Sequence, residues 1–309
     1  MNLKNSFSLL LLAALWGASF LFIRVGVAEF GPAPLVALRV STAALVLLGV
    51  LAAQLGLQGF RDLRKHAAQL LIVGVLNTAA PFCLFAIAEQ TLNAGLTSVI
   101  NATTPLWGAL VAFVWLKNSL SPSRVAGMVI GMVGVLALVW YQIAMPSSNP
   151  GASTPLQSVL AVAAGLGATL LYGIGANYTK HVLSGVPPLV IATGSMLGAS
   201  LATLPFALVS WPSVAVSGRA WGAVITMGVA CTALAYMLFF RLISHAGPAA
   251  AMSVAFLIPL FGILWGTLFL AEPLSPALAG GVVLVLAGTA LATGLLQKMW
   301  LRFTPSAQI

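Results

Sequence analysis

Trp16, Ser19, Arg39, Asn77, Asn101, Tyr172, Asn177, Tyr236 and Ser253 are polar or amphipathic side chains set inside long apolar stretches of the sequence. Polar groups in such surroundings are costly to bury and are candidates for function by default. Each type brings its own chemistry. A guanidinium such as Arg39 grips a carboxylate through two parallel hydrogen bonds. Carboxamides such as Asn77 and Asn101 donate and accept at once, and Trp16, Tyr172 and Tyr236 offer a broad apolar face with one polar tip. Together they are suited to holding a small molecule. Hydroxyls, including Thr103 and Thr104, are expected for the most part to bond back to carbonyls of their own helices. Two prolines, Pro105 and Pro259, each remove a helix hydrogen bond and are expected to kink their segments. In the sharper reading each frees a carbonyl toward the site and acts as a hinge.

Arg39 has two readings. It receives a substrate carboxylate, or it pairs with Glu29 or Glu89 and holds helices together. Structural pairing is preferred, because a charge about six residues into its span can also snorkel to the surface.

Catalytic chemistry is not indicated. His66, His181 and His245 fall in three separate connections, and no paired-carboxylate or nucleophile motif occurs. Cys83 and Cys231 lack metal-ligand spacing and read as packing residues. The chain is therefore read as no enzyme, with no cofactor and no metal. Its four acids, Glu29, Asp62, Glu89 and Glu272, all stand at or near expected helix ends. Proton-driven carriers commonly use a carboxylate or histidine buried at membrane depth. Facilitated movement or exchange without obligatory proton coupling is therefore expected, with Glu89 the nearest exception.

The elements that must position these residues follow from composition. The sequence is 61% hydrophobic and 6% charged, against about 25% charged in soluble domains. Its net charge of +9 comes from basic residues scattered between apolar runs, which speaks for membrane topology and against a nucleic-acid partner. The runs fall at 7–27, 33–55, 67–88, 94–115, 122–142, 156–178, 187–209, 219–241, 247–270 and 276–297, each of a length that crosses a bilayer as helix. The opening "MNLKNSFSLLLLAALWGAS" also resembles a cleavable leader, but its apolar run continues to Arg24 and is read as the first span. With the N-terminus inside, Arg24, Arg39 and Arg219 lie in the outer half and the other ten of the 13 basic residues lie inside. Both termini are thus expected to be cytoplasmic.

The chain repeats itself. A shift of 154 residues aligns Pro105 with Pro259, Gly108 with Gly262, Leu120-Ser121-Pro122 with Leu274-Ser275-Pro276, and Gly134 with Gly288. A shift of 156 aligns Trp16-Gly17 with Tyr172-Gly173 and Arg24 with Lys180. The Ser-Pro pairs read as helix starts. The expected organisation is an all-α polytopic membrane protein of ten transmembrane helices in two inverted five-helix repeats. The repeats cover residues 1–145 and 156–309, and a linker of residues 146–155 joins them on the outer side. Glu272, just before the last helix, is read chiefly as favourable to that helix's dipole. Inverted repeats are a plan of secondary transporters, with the site at their interface.

"LWGASF" at Leu15–Phe20, Arg39 within "ALRV", Pro105, Pro259 and the ending "AEPLSPALAGGVVLVLAG" together resemble the EamA family of the drug/metabolite transporter superfamily. The resemblance implies a central cavity formed by the first four helices of each half, with the fifth and tenth helices outside as support. It implies export of small metabolites such as amino acids by alternating access, in a bacterial inner membrane. Asn118 stands where the family often has Glu. Lipid translocation and a non-transporting scaffold are the alternatives. The expected partners are a small-molecule substrate and membrane lipids. The chain is read as a monomer or a homodimer, with the small-residue face "GMVIG" (127–131) as one possible dimer contact.

Overall fold

A computed structural model describes residues 3–117, 119–144 and 154–294. Asn118, linker residues 146–153 and the end of the tenth span, with Lys298 and Arg302, lie outside the described residues. The described residues form helices and no strands. In chain order they are α1 (Leu3–Phe30), α2 (Pro32–Lys65), α3 (Ala67–Glu89), and α4 (Ala94–Asn101 with Thr104–Leu116). Then follow α5 (Pro122–Ala144), α6 (Pro155–Val182), α7 (Pro188–Val209) and α8 (Gly218–Ala246). The series ends with α9 (Pro248–Met252 with Val254–Leu270) and α10 (Pro276–Ala292). Nine are long and apolar enough to span a bilayer, and α10 is a shorter apolar helix of 17 residues.

Helix ends follow from local chemistry. Asn93, Thr154, Ser217 and Ser275 each accept a hydrogen bond from a backbone amide of the first turn they precede, satisfying a donor the helix cannot. Ser121 does not reproduce its repeat mate Ser275. Its hydroxyl pairs with that of Ser123 at 3.0 Å. Gly31, at φ 72°, makes the tight passage from α1 into Pro32. The second span ends where expected, at residue 55: Gly56 (φ 51°, ψ −140°) breaks the helix there, and a second helical segment of α2 beyond the kink carries Arg61, Arg64 and Lys65. Among the described residues two non-glycine positions have positive φ, Lys117 (57°) and Ala271 (54°). They are repeat mates, and each ends the fourth helix of its half.

Packing partners exchange between the halves as a two-fold relation demands. α1 packs on α9 and α6 on α4; α1 packs on α8 and α6 on α3; α2 meets α7 and α5 meets α10. Paired glycines mark the close approaches. A Cβ on Gly17 would lie 2.6 Å from Cβ of Phe261 in α9, and one on Gly173 would lie 2.8 Å from the Gly108 amide nitrogen in α4. Gly127 and Gly131 are seated against α10 at Ala292, Leu291 and Gly288. The "GMVIG" face is thus spent inside the fold and is not a free dimer contact.

Candidate functional site

Seven helices enclose a cavity of about 330 Å³; α5, α7 and α10 contribute no lining side chain. That volume sits at the low end of the roughly 300–1,000 Å³ common for small-molecule sites. Its walls are largely aromatic. Trp16 contacts Tyr236 edge-on at 6.3 Å and Phe239 at 5.3 Å, while Phe85 contacts Phe20 at 5.8 Å and Tyr172 at 6.0 Å.

Both α3 and α8 widen into a π-turn beside the cavity, at Val75–Ala79 and Val229–Leu234. The two turns begin at repeat mates. A π-turn carries an extra residue per turn and often marks a functional position. Here it presents Asn77 from α3, and Cys231 and Thr232 from α8.

Arg39 is 5% exposed and lines the cavity. Its Nε donates to Thr232 Oγ1 at 3.0 Å, its Nη2 donates to Ser19 Oγ at 3.4 Å, and its Cζ lies 3.8 Å from the ring centroid of Phe82. None of these partners is an anion. The four acids are otherwise placed: Glu29 accepts from the Ser217 amide and hydroxyl, Asp62 from Gln58, and Glu272 from the Ala94 and Gly95 amides, while both Glu89 oxygens are unpartnered. The preferred ion pair with Glu29 or Glu89 is therefore not formed. Hydrogen bonds from a charged group contribute about 1.5–3 kcal/mol each and a desolvated cation–π contact about 2 kcal/mol. Removing a guanidinium from water costs several kcal/mol. The cation is held in position but left without a counter-charge, and its free donors are a place for a carboxylate.

The other nominated residues divide. Trp16, Ser19, Asn77, Asn101, Pro105, Tyr172 and Tyr236 join Arg39 on the cavity wall. Asn177 does not line it; its Nδ2 donates to the carbonyls of Gly108 (3.1 Å) and Gly173 (2.8 Å), fastening α6 to α4. Ser253 bonds back to the Ala250 carbonyl at 2.7 Å and marks the break in α9, while its neighbours Met252 and Val254 reach the cavity. Pro105 follows a break at Ala102 and Thr103. The Asn101 carbonyl that Pro105 cannot bond accepts from the Thr104 hydroxyl at 2.7 Å, which leaves it one further lone pair. Pro259 lies buried inside α9 and off the cavity. Phe82 and Thr232 are the contacts the sequence reading missed. The repeat shift carries a signal for both: Phe82 is the mate of the nominated Tyr236, and Thr232 is the mate of Thr78, next to Asn77.

A second, more polar space of about 690 Å³ opens where α1 runs into α2, lined by Arg24, Glu29, Gln90, Asn93, Arg219 and Glu272 among others. Glu272 spans the halves there. Its two carboxylate oxygens accept from the Ala94 amide at 2.8 Å and the Gly95 amide at 3.0 Å. The dipole argument thus holds for the N-terminus of α4, not of α10, whose cap is Ser275. Glu89, the last residue of α3, is 0% exposed with neither carboxyl oxygen partnered. Arg24 donates instead to its backbone carbonyl. An unpaired neutral polar group costs about 1–3 kcal/mol, and a bare carboxylate several times that. The Glu89 carboxyl is thus buried without a compensating partner among the described residues. The premise that no acid is buried fails at this residue.

The sequence model of the EamA-like transporter family matches the chain twice, over residues 4–140 and 159–294. An uncharacterized transporter of Archaeoglobus fulgidus is 22% identical over 93% of this chain and 97% of its own length. A protein of Streptantibioticus cattleyicolor named "Probable terminal-alkyne amino-acid exporter" is 24% identical over 91% of this chain and 90% of its own. A crystal structure superposes with a TM-score of 0.65 at 18% identity, covering 97% of this chain and 99% of the other, and so shares the fold. With nine helices long and apolar enough to span a bilayer and one shorter apolar helix among the described residues, the chain is an integral membrane protein belonging to the EamA-like transporter family.

Proposed function

We propose that this protein exports small amphipathic carboxylates, amino acids foremost, by alternating access of the central cavity. The observation that carries this reading is Arg39, a buried guanidinium on the cavity wall whose protein partners are two hydroxyls and a ring face. A substrate carboxylate supplies the missing charge. The aromatic wall of Trp16, Phe85, Tyr172 and Phe239 receives an apolar side chain, and the Asn77 and Asn101 carboxamides face the polar remainder of the molecule. The name of the S. cattleyicolor relative, an amino-acid exporter, supports the class. We place the chain in the plasma membrane with both termini cytoplasmic, from the excess of Lys and Arg on the connections of that side.

The test is counterflow in proteoliposomes. Labelled L-phenylalanine is expected to exchange, and unlabelled apolar amino acids to compete with it. Phenethylamine, which has the ring and amine but no carboxylate, is expected not to compete. Equal competition by phenethylamine would remove Arg39 from substrate binding, and no exchange across a panel of apolar amino acids would sink the substrate class.

A further inference from the structure

We propose that Glu89 is a proton-binding site, and that its proton governs the opening of the cavity at the end where α1 runs into α2. The inference rests on the transport reading above. Glu89 stands between the two spaces. Phe85, one turn earlier on α3, lines the central cavity, and Gln90, the next residue, lines the second space. Its carboxyl is fully buried with both oxygens bare, while Arg24 of α1, itself on the wall of the second space, is tied to its main-chain carbonyl. The arrangement sets a buried ionisable group between residues of the two spaces, with a cation held at its own main chain.

The charges acting on Glu89 are Glu272 from the α9–α10 turn, Arg24 from α1 and Arg39 from α2. One turn before Glu89 on α3, Phe85 packs on Tyr172 of α6 with ring centroids 6.0 Å apart.

In the closed form the proton is held in an O–H bond of Glu89. Opening admits water, that O–H bond breaks, and the proton passes to water in the second space. Arg24 then moves one N–H from the Glu89 carbonyl oxygen to the new carboxylate. Closing reverses each step. The proton leaves and returns on the same side, so the device gates exchange without driving accumulation. Higher pH on that side favours the open form and lower pH the closed form.

Cys231 lies on the central cavity and provides a native reporter. A membrane-impermeant thiol reagent is applied from the α1–α2 side to the full chain in lipid vesicles, and modification of Cys231 is followed by mass spectrometry. Wild type is compared at each pH with Glu89→Gln, which keeps the neutral shape permanently; this cancels the pH dependence of the thiol itself. Similar rates are expected in mildly acidic buffer. In mildly alkaline buffer wild type is expected to react faster by roughly tenfold, the change one titrating proton gives per pH unit. Equal rates at both pH values overturn the proposal. A measurement without any variant backs this up: the infrared spectrum of the wild type in mildly acidic buffer is expected to show the band of a buried neutral carboxylic acid, lost in alkali. Its absence overturns the proposal. Counterflow of labelled L-phenylalanine in the same vesicles reads the transport proposal separately. Flux without pH-dependent labelling sinks the gate alone, whereas pH-dependent labelling without flux of any apolar amino acid sinks the substrate class alone.

Discussion

The two halves of the cavity wall are built on one plan and carry different chemistry. Phe85 and Phe239 are repeat mates and both line the cavity, as do Phe82 and Tyr236. At the π-turns, Asn77 in the first half corresponds to Cys231 in the second, and on the fourth helices Asn101 corresponds to Ala255 and Thr104 to Ile258. The first half therefore supplies the carboxamides and the second a more apolar wall. Arg39 crosses the divide: it belongs to the first half and hangs on Thr232 of the second. Its mate under the 154-residue shift is Thr193, which bonds back to the Leu189 carbonyl. The shape of the cavity thus follows the repeat, and its polar side chains stand where the repeat has diverged.

Breaking that asymmetry at its strongest point should have the largest effect. Arg39→Ala removes the one buried cation on the wall of this cavity. Loss of a charge-assisted carboxylate contact is about 1.5–3 kcal/mol, so L-phenylalanine is expected to bind about 10- to 150-fold more weakly. Any weak interaction of phenethylamine should be unchanged. Competition curves in counterflow make the comparison. An unaltered curve for L-phenylalanine would mean that the carboxylate is held elsewhere.

The next effect belongs to the other end of the molecule. Glu272 ties the turn after α9 to the start of α4, and Gly266 leaves the room in which its carboxylate lies. Glu272→Gln keeps the size but has one acceptor oxygen for two amide donors and no charge to set against the helix dipole. A loss of about 1 kcal/mol is expected, read as a lower thermal midpoint in detergent. An unchanged midpoint would show that the two amides are served as well by water.

How much of this could be read beforehand differs by residue. The ten helices follow from the lengths of apolar runs, and the starts of α5 and α10 at Pro122 and Pro276 follow from the repeated phrase. Asn177 is a carboxamide in an apolar run like Asn77 and Asn101, yet it does not line the cavity, whereas Ser253 bonds back to its own helix as expected of most hydroxyls. A helix that is apolar all round gives no stripe from which to read its facing, so polarity alone cannot separate a wall residue from one that fastens two helices. Glu272 shows the other limit. Its local sequence points to the helix that follows, whereas its partners are amides 177 and 178 residues earlier. Contacts of that kind are made by the assembly of the two halves and leave no local trace. The burial of Glu89 escaped for the same reason: a position at a helix end says nothing about what is packed over it.

The smallest expected effect is also the sharpest test of the comparison. Thr78 and Thr232 are repeat mates in equivalent π-turns, and both are buried. Thr232 Oγ1 donates to the Met227 carbonyl at 2.9 Å and accepts from Arg39. Thr78 Oγ1 has no partner, and the second half, with Thr193 at the position matching Arg39, carries no cation to set against it. Replacing either with valine keeps the shape and removes the hydroxyl. At Thr78 this relieves an unsatisfied buried group, and a gain of about 1 kcal/mol in stability is expected, with substrate affinity unchanged. At Thr232 the same substitution unhooks Arg39, and both stability and affinity for L-phenylalanine should fall. If the two variants behave alike, the divergence between the halves has no energetic content. If Thr78→Val destabilises, its hydroxyl has a partner, a water molecule foremost, and the first half is more polar than its side chains alone indicate.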